Sequence, residues 1–143
     1  MNIIKIDSQE AMLLCFPVIA ELRLHITKNS FIEKIERQVK EGYQLWGLSI
    51  GNEIVSIIGF RIQNFLAWGK TFYIDDFATH SNYRGNGYAS YLMKWAIQQA
   101  KDIYNCDEIH LDTGYTRHNA HKLYLKHGFE LKSHHLCLDI RKG

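Results

Sequence analysis

The 143-residue chain is 46% hydrophobic and 22% charged, with ten glycines and a single proline, which fits one ordinary globular domain over residues 1–143 and excludes a disordered chain. Its 17 Lys and Arg are interspersed with 15 Asp and Glu for a net charge of +2, so no basic footprint suits nucleic acid or an anionic membrane. Three widely spaced cysteines without a Cys-x-x-Cys suit reduced thiols in a cytoplasmic protein; the longest apolar run, Ala11 to Ala20, contains Pro17 and resembles neither a membrane span nor a signal peptide.

Asn2 to Ile6 reads as a short apolar strand. Asp7-Ser8-Gln9-Glu10 then opens a helix, with Asp7 or Ser8 as the cap. Pro17 suits the first turn of a second helix running toward Arg23 better than the interior of the first, and Leu24 to Asn29 reads as a loop. Ser30-Phe31-Ile32-Glu33 has the form of another capping box, opening a helix through Lys40 that Gly42 stops. Tyr43 to Ile50 and Glu53 to Leu66 are rich in strand formers and joined through Gly51-Asn52 as a hairpin; Gly59 within the second marks a bulge or a crossing point.

Thr71 to Thr79 is the next strand, and His80-Ser81-Asn82 ends it with turn formers. From Ala89 the apolar residues fall at Ala89, Leu92, Met93, Ala96, Ala100 and Ile103, a helical stripe that sets the helix start near Gly87. Gly85 and Gly87 stand at the joint, where absent Cβ atoms let backbone N–H groups approach a ligand. A nest of this kind at a helix N-terminus favours an anion. No acid occurs between Asp76 and Asp102, while Arg84, Lys94 and Lys101 lie in that interval, so a phosphate or pyrophosphate is the simplest source of the missing negative charge. Gly-x-Gly alone reads more readily as a plain strand-to-helix turn. A P-loop would need Gly-Lys-Ser/Thr, and a dinucleotide fingerprint would need Gly or Ala where Ser90 stands.

Glu108 to Thr113 alternates Ile109, Leu111 and Thr113 on one face, and its position after a helix implies a parallel pairing with a right-handed crossover. Arg117 to His127 is helical with Ala120, Leu123 and Tyr124 on one stripe, Gly128 stops it, and Phe129 to Ile140 returns as a final strand. The predicted order is βααβββαβαβ, a mixed α/β fold with a mostly antiparallel sheet flanked by helices.

Tyr83-Arg84-Gly85-Asn86-Gly87-Tyr88-Ala89 resembles the acyl-coenzyme A loop of the GNAT superfamily of N-acetyltransferases, whose Arg/Gln-x-x-Gly-x-Gly/Ala is met by Arg84, Gly87 and Ala89. Ile74 to Thr79 resembles that family's fourth strand at the same offset, and Ala120 to Phe129 its Ala-x-x-x-Tyr-x-x-x-Gly-Phe segment. The element order agrees along the whole chain. One departure is Arg117, which stands where many members carry an asparagine contacting the pantetheine arm; Asn119 is out of register.

The resemblance implies acetyl transfer from acetyl-coenzyme A to a small-molecule or peptide amine, without a metal. The cofactor would be held by N–H groups from Arg84, Gly85, Asn86, Gly87, Tyr88 and Ala89, and by the backbone of Phe77, Ala78 and Thr79 acting as a strand partner to the pantetheine arm. A backbone N–H near Phe77 would polarise the thioester carbonyl. Tyr124, a core tyrosine by periodicity alone, would by the family match protonate the departing thiolate.

A primary amine with a pKa of about 10.4 is only roughly one part in 10³ neutral at pH 7, so its proton must be removed. Asp75 and Asp76 are adjacent carboxylates on the strand passing the thioester; they face opposite sides unless a bulge intervenes, and Asp76 is the candidate base. The alternative leaves both as solvated or cation-holding carboxylates with water relaying the proton, and Glu53 and Asp112 are weaker candidates. His134 and His135, adjacent on a strand, would point to opposite faces, and the helical pair His118 and His121 has no evident third ligand, so neither reads as a metal site.

Asp75-Asp76-Phe77 is similar to diamine acetyltransferases, where acidic residues hold a polyamine, whereas Arg117 through His135 looks like small members grouped with aminoglycoside acetyltransferases. Selection among amines would fall to the loop at Leu24 to Asn29, the turn at Phe65 to Lys70 and the final hairpin region. Edge strands in such folds commonly pair, which would give a homodimer. A non-catalytic acyl-coenzyme A sensor that keeps the loop is the alternative from another class.

Overall fold

The computed structural model describes residues 1–142 and forms two compact units, Met1–Leu111 and Asp112–Gly143. The first unit is a five-stranded sheet with three helices. Strands β1 (Asn2–Lys5), β2 (Gln44–Ile50), β3 (Glu53–Phe65) and β4 (Gly69–Thr79) pair antiparallel in sequence order, and β5 (Glu108–Leu111) joins β4 in parallel. The mixed, mostly antiparallel sheet expected from the sequence is thus formed. Among the described residues no helix is long and apolar enough to cross a membrane.

Alternation along the strands separates two apolar layers. Leu45 and Ile57 point to one face and pack with Met12, Cys15, Val18 and Ile19 of helix α1 (Gln9–Leu22) and Phe31 and Ile35 of helix α2 (Lys28–Lys40). Trp46 and Phe60 point to the other, where Trp95 of helix α3 (Tyr88–Asp102) lies 5.0 Å from Trp46, ring centre to ring centre, and Phe60 stacks on Phe72 at 4.1 Å. Burying these aromatics contributes roughly 1.5–3 kcal/mol per side chain.

Helix α1 differs from the expected break at Pro17, running unbroken from its Ser8 cap, whose side chain accepts from the Ala11 N–H at 3.1 Å. The carbonyl that loses its partner to Pro17 belongs to Leu13, which is 43% exposed, so water can replace the missing donor. Helix α2 starts earlier than expected. Thr27 caps it and Ser30 closes the box from the N3 position, so Ser30 is inside the helix rather than at its cap.

The β3–β4 ladder contains the irregularity that Gly59 foretold. Gly59 pairs with Asp76 and Phe60 with Ile74, which makes Asp75 the extra residue of a bulge. Tyr43 explains the glycine, because a Cβ on residue 59 would lie 1.7 Å from the Tyr43 hydroxyl. The phenol crosses the strand through the space a side chain would fill.

In the second unit, helix α4 (His118–Lys126) follows an Arg117 cap and ends before Gly128, whose φ of 95° is left-handed. The expected final strand over Phe129 to Ile140 is not formed: the segment has no ladder partner, and Ile140–Lys142 is a 3₁₀ turn. Its apolar alternation changes phase. Phe129 and Leu131 occupy odd positions while Leu136, Leu138 and Ile140 occupy even ones, so a straight strand would place the two sets on opposite faces. Leu136 and Leu138 are 90% and 86% exposed.

Candidate active site

Chemistry-bearing groups in the first unit gather around β4 and the corner that follows it. The β5 ladder ends at Ile74↔Leu111, whereas the β3 ladder continues to Ser56↔Thr79. Phe77, Ala78 and Thr79 therefore lie beyond the end of β5. A single 3₁₀ turn, Ser81–Tyr83, then leads into the glycine corner. Glu21 of α1 fixes that turn by accepting from the Ser81 N–H at 2.7 Å and from the Ser81 hydroxyl. The Ser81 contacts and His80 hold the Glu21 carboxyl below its ordinary value against a desolvation that would raise it.

Gly85 and Gly87 have φ of 81° and 79°, the left-handed region that a Cβ disfavours. A Cβ built on either meets no atom within 4 Å, so conformation rather than crowding requires glycine, and the corner has room for a ligand. Gly87 caps α3 without any side-chain bond, and no acid stands in the first turn. The outcome is a helix N-terminus whose first N–H groups, including those of Tyr88 and Ala89, lack the usual answering oxygen. The Asn86 amide donates to the Tyr83 carbonyl at 3.0 Å and braces the loop from inside, and Arg84 is exposed beside it. This geometry fits a diphosphate.

The bulge decides the fate of the two acids. Instead of facing opposite sides, Asp75 and Asp76 line one cavity of about 330 Å³ between the end of α1, α2 and β4. Arg23 donates to Asp76 Oδ1 from Nε at 3.0 Å and Nη2 at 2.9 Å, and the Tyr43 hydroxyl donates to Oδ2 at 2.7 Å. Arg23 Nη2 also reaches the Asp75 carbonyl at 2.9 Å. The Asp75 carboxylate accepts from Arg61 Nε at 2.6 Å, and Arg61 in turn donates to Gln38 at 2.7 Å. Burial outweighs Arg61 and lifts the Asp75 carboxyl above its ordinary value. Burial and the neighbouring Asp76 likewise hold the Tyr43 phenol protonated.

Tyr124 lies in the second unit on α4 and is 8% exposed, its ring 5.8 Å from that of Phe129. Burial raises its pKa against the opposing charge of Arg117, which keeps the phenol a proton donor at neutral pH. The His121 ring reaches the Gly114 carbonyl at 3.0 Å, and His135 pairs with Asp112 at 3.3 Å. Glu53, the other weaker candidate, accepts from the Tyr83 hydroxyl.

Arg23, Tyr43 and Arg61 went unmarked in the sequence. They lie 53, 33 and 14 residues from the carboxylates they hold. Only Gly59, the residue that makes room for Tyr43, carried a local signal.

The family model for the acetyltransferase (GNAT) family matches residues 10–129. An uncharacterized N-acetyltransferase of Bacillus subtilis, YhdJ, is 26% identical over 132 residues, covering 91% of this chain and 92% of the relative. A transcriptional regulator from Bacillus halodurans has a crystal structure that superposes with a TM-score of 0.80 at 26% identity, covering 97% of this chain and 99% of its own. Aminoglycoside N-acetyltransferase AAC(6')-Iy, solved with CoA, shares the fold with a TM-score of 0.80 at 13% identity, over 98% and 94% of the two chains.

Proposed function

Given that the chain belongs to the acetyltransferase (GNAT) family, we propose that it moves an acetyl group from acetyl-coenzyme A to a primary amine of a small molecule or peptide, by direct attack within a ternary complex. The match runs from residue 10 to 129 and so crosses both units, which supports reading them as one catalytic domain. The observation that carries the cofactor assignment is the open, uncapped start of α3, entered through two left-handed glycines.

Backbone N–H groups from Arg84 to Ala89 hold the diphosphate, with the Arg84 side chain adding charge. Phe77, Ala78 and Thr79 pair with the pantetheine arm along the part of β4 that extends past β5. When bound, the thioester supplies the electrophilic carbonyl carbon. A backbone N–H near Phe77 steadies the oxyanion that forms as the amine attacks.

The amine must first lose a proton, and the paired carboxylates receive it. Asp76 is the base expected from the sequence. Its two oxygens are already engaged by Arg23 and Tyr43, so Asp75, whose proton affinity burial has raised, stands beside it as the stronger acceptor. Tyr124 donates a proton to the sulfur as the C–S bond breaks, and the surplus proton on the attacking nitrogen restores the phenol, leaving the amide and the free thiol. Neither motif contains a cysteine, which supports direct transfer over an acetylated enzyme.

Titration with coenzyme A and thiol release across an amine panel test this reading together. Binding accompanied by turnover on at least one amine supports the transferase, binding without turnover on any amine supports the sensor, and absence of binding removes both.

A further inference from the structure

We infer that the cavity between α1, α2 and β4 receives the acceptor, and that this acceptor carries an anionic group, a carboxylate or a phosphate, in addition to its amine. The inference rests on the acetyltransferase reading above and adds the substrate class.

The acidic pair invites the opposite conclusion, that the cavity holds a polycation. The ion pairs speak against it. Asp76 is matched by Arg23 at 2.9 Å and Asp75 by Arg61 at 2.6 Å, one guanidinium to each carboxylate. Gln38 and Tyr43 complete the two sets of hydrogen bonds. A carboxylate already balanced in this way offers a second cation little net attraction, and taking it would strand an arginine.

What remains unbalanced in the cavity is positive. Lys34 stands on the α2 wall, exposed, and forms no ion pair among the described residues. Its helical neighbours at the i±3 and i±4 positions are Ser30, Phe31, Arg37 and Gln38, so no acid on α2 shares its face. Of the acids nearest in sequence, Glu33 pairs with Arg37 and Glu36 accepts from the Gln9 side chain at 3.2 Å. His25 lines the same cavity from the segment joining α1 to α2, and the Arg23 side chain is still 37% exposed. Summing Arg23, Lys34 and Arg61 against Asp75 and Asp76 leaves one positive charge with His25 neutral. An amine bearing an anion at its far end satisfies Lys34 and presents its nitrogen to the carboxylates. The cavity, at about 330 Å³, has the volume of a small-molecule site.

The test is thiol release from acetyl-coenzyme A with four acceptors of matched length: an ω-amino carboxylate, an amino-alkyl phosphate, the neutral ω-amino amide and a diamine. Equilibrium binding of each to the coenzyme A complex is measured alongside. The expected result is that the carboxylate or the phosphate ranks first, the two arms telling which anion is meant. Lys34→Glu should raise KM for the preferred anion by about tenfold, with less effect on kcat, and move the diamine up the order. Lys40→Glu, the same charge change outside the cavity, should leave the order as it was. A diamine that outranks both anions, an order unmoved by Lys34→Glu, or no response to either anion overturns the inference. Coenzyme A titration reports separately on the acetyltransferase reading, which survives all three results if the cofactor still binds and some amine is acetylated.

Discussion

Gly59→Ala is the most demanding test of how the acidic pair is held. The added methyl would lie 1.7 Å from the Tyr43 hydroxyl and 2.4 Å from its Cζ, far inside van der Waals contact. Tyr43 is 1% exposed and packed in the α1/α2 layer, so the ring cannot swing into solvent. Moving it far enough breaks the 2.7 Å bond to Asp76. Overpacking of this kind costs about 1–3 kcal/mol, and a hydrogen bond to a charged group contributes about 1.5–3 kcal/mol. The sum, about 2.5–6 kcal/mol, is a large share of the ~5–15 kcal/mol that holds a domain together. Urea unfolding followed by circular dichroism reads it as a lower midpoint at unchanged slope. In a Tyr43→Ala background the methyl has room, so the same substitution should cost at least ~2 kcal/mol less, a coupling that a double-mutant cycle reports. A Gly59→Ala protein within about 0.5 kcal/mol of the parent, or strict additivity with Tyr43→Ala, would refute the reasoning.

Tyr124→Phe should lower turnover by about 10²-fold or more while coenzyme A affinity by calorimetry stays within about twofold; an equal rate would remove the phenol as the acid. Gly87→Ala forces a side chain into a left-handed conformation, at a cost of about 1–2 kcal/mol, and should weaken coenzyme A binding about tenfold in the same titration. Burial pushes the Cys15 thiol from 9.0 up to about 12. The folded protein keeps that proton while the unfolded chain releases it, so this contribution to stability is complete below pH 9 and declines toward pH 12. At about pH 10.5 the loss is ~2 kcal/mol, and urea midpoints of the parent should fall more steeply between about pH 8 and 10.5 than those of Cys15→Ala. Parallel slopes would count against it.

Local chemistry made the β4–corner–α3 segment legible: strand formers, then turn formers, then two glycines before a helical stripe. The capping of α2 was misplaced because Ser30-x-x-Glu33 and Thr27-x-x-Ser30 overlap, and the second one forms. Pro17 was over-weighted because its cost depends on which carbonyl it orphans, and only the fold says that Leu13 lies outside. The C-terminal segment has the composition of a strand, but composition cannot supply a partner edge. Within the site, the two acids were evident and their surroundings were not. Arg23 and Tyr43 meet Asp76 only once α1, β2 and β4 have assembled, and no period or motif encodes a contact across 53 residues. The consequence was substantial, since two adjacent acids suggest a sink for cations until their arginines are seen.

The indole pair under α3 has an optical consequence. Trp95 sits seven residues after the start of the helix that the glycine corner opens, and it leans on Trp46 of β2 at 5.0 Å and 48°. Two chromophores at that spacing couple excitonically, so any tilt of the helix registers in the near-ultraviolet dichroism. The third tryptophan, Trp68, lies stacked on His110 of β5, ring centres 3.7 Å apart, and supplies a separate signal. Nature has left this protein labelled at the place where a spectroscopist would have put the dye.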